Sequence, residues 1–254
     1  MTIGAIPAGG GDVGGPAGYS YRLVVVRGER DAVLARASAL GFSGWVGPQE
    51  GEHVVLVPAG RGPTVASDAA DLESFAASLA ADLNGSPTTV LAAEVVRDRL
   101  LELLCHVDGG PLLRYRSDPS VVDDEAFDEP VGQHHADALA AAFGRPKFAD
   151  AVREELGETL DPEQHIESER LDHVLGRLGV PTWGVSAWRL PKYVPYGPDT
   201  RELVRLRAGR RGFSVRGALE ERLRGWSDRL RRRAPGPRRD VDMGGPAMPD
   251  EMFW

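Results

Sequence analysis

The sequence predicts an α+β protein with a mostly antiparallel sheet, and three observations carry that expectation. The first is the run from Tyr21 to Val96, whose apolar patterning reads strand, helix, strand, strand, helix, strand. That is the ferredoxin-like βαββαβ order, in which helices cover one face of a sheet to give an α+β sandwich. The second is Asp108-Gly109-Gly110, set between two Leu-rich runs. Asp-Gly tolerates the positive φ angles of a tight hairpin. The third is the Arg-rich run from Phe213 to Arg233, whose spacing predicts a C-terminal basic amphipathic helix.

Residues 1–18 are Gly, Pro and Ala rich and carry too little apolar area to offset ordering entropy, so disorder is expected there. GGGDVGG at Gly9 to Gly15 neither follows a strand nor opens a helix, as a phosphate-binding loop must. A globular domain is expected over 19–200, with a sheet core at 19–117, a helical lobe at 131–180 and a final strand at 183–190. Tyr21 to Arg27 is a strand whose continuous apolar run suits a central position. Glu29 to Leu40 carries Val33, Leu34, Ala37 and Leu40 at helical spacing, and Gly41 is its stop. Phe42 to Val46 and His53 to Val57 are strands joined by a turn at Pro48 to Gly51.

Ser67 is placed to cap a helix running to about Leu83, with Leu72, Phe75, Leu79 and Leu83 as its apolar stripe. Thr88 to Val96 is read as a strand, followed by a turn at Arg97-Asp98 and strands near Leu101 to Val107 and Leu112 to Arg116. In the last of these, Leu113 and Tyr115 share one face and Arg114 and Arg116 the other. A helix is the rival for Leu91 to Leu104, but the β-branched Val90, Val95 and Val96 favour strands. Asp137 to Leu178 reads as short helices that form a lobe against the sheet, and Trp183 to Leu190 as the final strand. A basic helical arm is expected over 201–234 and a disordered tail over 235–254.

The chain has 254 residues and a formal net charge of −8. From Arg201 to Asp240 there are fourteen arginines against five acidic residues, a net of +9, which leaves −17 on the rest. An acidic body with a basic arm is the largest asymmetry in the sequence. No apolar run is long enough for a transmembrane helix, so no integral membrane segment is expected. Nothing at the N-terminus resembles a secretory signal, and with a single cysteine a reducing cytoplasm is expected. The preference for Arg over Lys, with abundant Ala and Gly, suits a GC-rich bacterial genome.

Residues with chemical potential are few. Cys105 and His106 are adjacent, but strand neighbours point to opposite faces, so a buried structural cysteine is the reading. His165, Glu169 and His173 lie at i, i+4 and i+8 of one helix, two His and a Glu of the type that ligates zinc, without the H-E-x-x-H spacing. Charges on a solvated face are the plainer reading, as they are for Asp123, Asp124, Glu125, Asp128 and Glu129 in the acidic connector at Ser117 to Pro130. Docking on the basic arm is the other reading of that connector. His134-His135 has no ligand spacing. No nucleotide-binding loop, nucleophile elbow or CxxC pair is present, and no cofactor is expected.

The arm is the strongest functional signal. Val215, Leu219, Leu223, Trp226 and Leu230 form one narrow stripe, flanked by Arg222, Arg229, Arg231, Arg232 and Arg233. The tail ends in Met252, Phe253 and Trp254, a short docking peptide in form. These residues suit a protein partner or self-association, and the arginines suit phosphate contacts with nucleic acid. A weak lipid-surface helix, and a helix packed on the chain's own acidic body, are the other readings. The expected function is non-enzymatic binding or assembly, with a nucleic-acid contact next and a small metal-dependent hydrolase last. Whether Trp45, Tyr115, Trp183 and Trp188 border a ligand pocket is left open by the sequence.

Overall fold

A computed structural model describes residues 20–59, 72–81, 88–121, 129–159, 167–190 and 193–211. Among the described residues, eight strands form one sheet: β1 (Tyr21–Arg27), β2 (Gly44–Glu50), β3 (His53–Pro58), β4 (Thr89–Val96), β5 (Leu100–Val107), β6 (Gly110–Arg116), β7 (Val204–Arg207) and β8 (Arg210–Arg211). Five α-helices accompany them among the described residues: α1 (Arg30–Ala39), α2 (Leu72–Ala80), α3 (Ala136–Ala142), α4 (Ala149–Gly157) and α5 (Glu167–Leu178). The strands run β6-β5-β4-β1-β3-β2-β7-β8 across the sheet, and every neighbouring pair is antiparallel.

The sheet is the middle of three layers. In β1 the side chains alternate, so Val24 and Val26 join the core beneath α1 and α2 while Leu23 and Val25 join the core beneath α3, α4 and α5. All four are fully buried, which is why this central strand lacks polar alternation. Helices therefore cover both faces rather than one, and the predicted lobe lies opposite α1 and α2. Phe42 stacks on Phe75 at 5.3 Å to seal one core, and Leu139, Val152, Leu171 and Val174 are fully buried in the other. Each such side chain contributes roughly 1.5–3 kcal/mol on burial.

Three hairpin turns share one backbone signature. Arg97-Asp98, Asp108-Gly109 and Ala208-Gly209 all have positive φ at both central residues, the mirror-image turn that matches strand twist. The β4 to β6 meander is thus a strand unit throughout, and the helical rival for Leu91 to Leu104 is excluded. The Ala208-Gly209 turn is clamped on the end of α1. Gly209 N–H donates to Phe42 O at 2.8 Å, Ala208 N–H donates to Ser43 Oγ at 2.9 Å, and Ser38 Oγ donates to Gly209 O. A Cβ at Gly209 would fall 2.0 Å from Ser38 O, so only glycine fits.

Three expectations are corrected. Trp183 to Leu190 is no strand: Trp183–Arg189 is a 3₁₀ helix, with Val185 N–H on Thr182 O and Leu190 N–H on Ala187 O, both at 3.0 Å. The segment lies on the sheet face against β1 and β3, and Trp183 to Ala187 are all buried, so it has no exposed side to alternate with. Second, the arm is not helical from residue 201, because β7 and β8 extend the sheet and close the β2 edge. Third, Pro48 sits within β2 rather than in a turn, at a register shift between Val46 and Gln49. The Ser67 cap lies outside the described residues.

Candidate functional site

The predicted site residues are not assembled into a site among the described residues. His165 lies outside them. Glu169 is half-buried on α5, and the exposed His173 pairs its Nδ1 with Glu155 Oε1 of α4 at 3.0 Å. Among the described residues no group of three or more His, Cys, Asp or Glu could hold a metal ion. The His134 and His135 rings lie 4.0 Å apart, tilted by 42°. Asp123, Asp124, Glu125 and Asp128 fall outside the described residues, as do Val215, Leu219, Leu223, Trp226, Leu230, Arg222, Arg229, Arg231, Arg232, Arg233, Met252, Phe253 and Trp254.

Cys105 and His106 diverge as strand geometry requires. Cys105 belongs to the core beneath α3, α4 and α5, while His106 faces the other way, within the field of Glu73 on α2. Burial pushes the Cys105 thiol up to about 12, so it is neither nucleophile nor ligand near neutrality. Burial lowers the His106 pKa, with Glu73 opposing.

The structure gathers a polar cluster that local spacing does not reveal, at the N-terminal end of α5. The β4–β5 turn supplies Asp98, the end of β6 supplies Tyr115 and Ser117, β1 supplies Tyr21, and α5 supplies Glu167, Ser168 and Arg170. Tyr21 Oη donates to Ser168 Oγ at 3.0 Å, and Ser168 Oγ donates to Asp98 Oδ1. Glu167 N–H donates to Asp98 O at 3.2 Å, satisfying an amide of the first turn. Arg170 Nη1 donates to Tyr115 Oη at 2.5 Å, and its Nη2 donates to Glu158 O. Its Nε lies 3.5 Å from Glu167 Oε2.

Asp98, Glu167, Ser168 and Arg170 are all buried, so this charge is held almost out of water. Burial pushes the Glu167 carboxyl up to about 7; Arg170 and a Ser117 hydrogen bond oppose the shift, while Asp118 and Asp98 reinforce it. The same burial carries the Tyr115 hydroxyl above its ordinary range despite Arg170. The cluster fastens α5 to β1, to β6 and to the β4–β5 turn. One signal was available in the sequence: Glu167 and Arg170 continue the Leu171, Val174 and Leu178 stripe onto the apolar side of α5.

The base of the basic arm is defined. Arg205 on β7 faces Trp45 on β2, with its guanidinium carbon 4.0 Å from the ring centroid. Trp183 Nε1 donates to Glu50 Oε1 at 2.7 Å. The cavity that Tyr115 lines does not include Trp45 or Trp183, and the Trp188 side chain lies outside the described residues. No helix of the described residues is long and apolar enough to cross a membrane. Comparison with protein-family models, with curated proteins and with solved structures finds no match.

Proposed function

We propose that this chain is a non-enzymatic binding and assembly protein that meets a protein partner, or a second copy of itself, through residues beyond β8. One observation carries the reading: the segregation of charge and of exposed-type apolar residues into that segment. Five of the fourteen arginines belong to the β7–β8 hairpin and its approach, which leaves nine arginines against four acidic residues from 212 to 240. The stripe Val215, Leu219, Leu223, Trp226 and Leu230 keeps helical spacing, as a partner helix needs. In the chain the segment follows directly on β8, the outermost strand of the sheet. On the same reading the β1-α1-β2-β3-α2-β4 unit is ferredoxin-like, supported by its spatial order β4-β1-β3-β2, and the protein works in the cytoplasm.

The test compares the intact chain with one ending at Arg211, the end of the last strand. A cut at Gly197 would delete β7 and unseat Leu206, so a lost interaction would then report lost folding. Both are used for affinity capture from nuclease-treated lysate of the source cell, with light scattering to detect self-association. A protein retained by the intact chain alone, or an oligomer formed by it alone, is the expected result. Equal behaviour of the two chains would sink the reading. The Arg excess favours nucleic acid as a second reading, and there affinity must fall steeply between about 50 and 200 mM salt.

A further inference from the structure

The face of the sheet that carries α1 and α2 holds a cavity of about 460 Å³ at its β5–β6 side. This volume lies within the range of roughly 300–1,000 Å³ that small-molecule sites occupy. Its lining is Leu104, Pro119 and Val131 with part of Tyr115, and the charged Glu102, Arg114 and Arg116. Strand register puts four of these on one face, since Glu102 lies opposite Arg116 and Leu104 opposite Arg114. Val131 is 55% exposed, yet its backbone is fixed, because it exchanges two hydrogen bonds of 2.9 Å with Arg116. Ser117 is tied to Leu101 in turn, its Oγ accepting from Leu101 N–H at 2.9 Å and its N–H donating to Leu101 O at 3.0 Å. Part of the lining is therefore set before any ligand arrives, which lowers the ordering cost of binding.

The charge balance selects the ligand. Glu102 Oε1 already accepts from both Arg116 Nε, at 2.6 Å, and Arg116 Nη2. Arg114 pairs with Glu73 of α2 at 2.7 Å, with side chains 70% and 45% exposed. A pair so open to water holds by about 0–1 kcal/mol, so its guanidinium can change partner. Arg116 spends its Nε and Nη2 on Glu102 and keeps Nη1, while Arg114, once it leaves Glu73, offers a whole fork, and together they suit a planar or tetrahedral acid group. We propose that this cavity binds a small organic anion with an apolar body, its acid group on Arg114 and Arg116 and its body on Leu104, Pro119 and Val131.

The probe is anilinonaphthalene sulfonate, an apolar ring system with one acid group, titrated into the folded full-length chain by fluorescence. Saturable binding at one site is expected. Arg114→Gln and Val131→Asp should each weaken it about tenfold, the scale of a lost charge-assisted hydrogen bond or a lost apolar contact. Both positions are exposed, and unchanged thermal midpoints would show that the variants fold. Absence of saturable binding, or unchanged affinity in either folded variant, overturns the proposal. Probe held by the arginines beyond residue 211 would be indifferent to both substitutions and counts against it. The outcome is independent of the assembly reading, which rests on a different segment.

Discussion

Glu94 and Glu102 stand directly opposite each other on β4 and β5, two carboxylates in one cross-strand pair. Each is matched on its outer side. Arg22 on β1 donates to Glu94 at 2.7 Å, and Arg116 on β6 donates to Glu102. A row of charges, plus, minus, minus, plus, therefore crosses four adjacent strands. Like charges directly opposite destabilise a sheet, so the outer arginines make this row tolerable.

That arrangement predicts coupling. Arg22→Met should cost on the order of 1 kcal/mol, because it leaves Glu94 facing Glu102 without its counter-ion. In a Glu94→Gln background the same change should cost little. Urea unfolding of the two single variants and the double variant measures this, and strictly additive costs would exclude the coupling.

Glu167 predicts a pH dependence with a definite sign. Its carboxyl ordinarily ionises near 4.5, and in the folded chain near 7. Between those values the folded state holds a proton that the unfolded state has released. Stability should therefore fall as pH rises from about 4.5 to about 7 and then level off, by up to about 3 kcal/mol at 1.36 kcal/mol per unit. Glu167→Gln should flatten this component. Urea midpoints at about pH 5 and pH 8 for both proteins decide it, and an equal slope in the two would count against the assignment.

The β7 strand predicts a core defect outside the first 200 residues. Leu206 is fully buried in the core beneath α1 and α2, opposite Gly44 of β2. Leu206→Ala should cost about 2–5 kcal/mol, the usual range for a buried leucine. A chain ending at Arg211 should melt near the intact protein, and one ending at Gly197 well below it. Thermal unfolding of the three chains is the check.

Cys105 predicts chemical silence. A fully buried thiol with its pKa pushed to about 12 should not react with an aromatic disulfide reagent in the native state. One thiol should appear as urea unfolds the chain. Rapid modification without denaturant would contradict the burial.

The elements legible in the sequence are those whose signals are local. Asp108-Gly109 specified its hairpin because the turn chemistry sits in two residues, and Leu113 and Tyr115 alternate inward with Arg114 and Arg116 outward as period two requires. Gly41 ends α1 with Phe42 N–H bonded back to Ala37 O at 2.9 Å. What escaped is non-local. Trp183 to Leu190 reads as a strand because it is rich in apolar residues, and only its position on the sheet face distinguishes a buried 3₁₀ helix from a buried strand. The VRLR of β7 does alternate, but four residues within an Arg-rich run are a weak signal. The polar cluster draws Tyr21, Asp98, Tyr115 and Ser168 from distant parts of the chain, so no spacing announces it.

The late arrival of β7 has a consequence for the chain as it is made. The edge of β2 is closed by residues centred on Leu206, so at about 5–20 residues per second the ribosome leaves that edge unpaired for roughly ten to thirty seconds. An unpaired strand edge invites other chains to pair with it. The register shift in the β2–β3 ladder between Val46 and Gln49 bends the strand that carries the waiting edge, and Pro48 inside it has no amide donor to offer an incoming strand. What looks like an imperfection in the finished sheet is protection for the unfinished one.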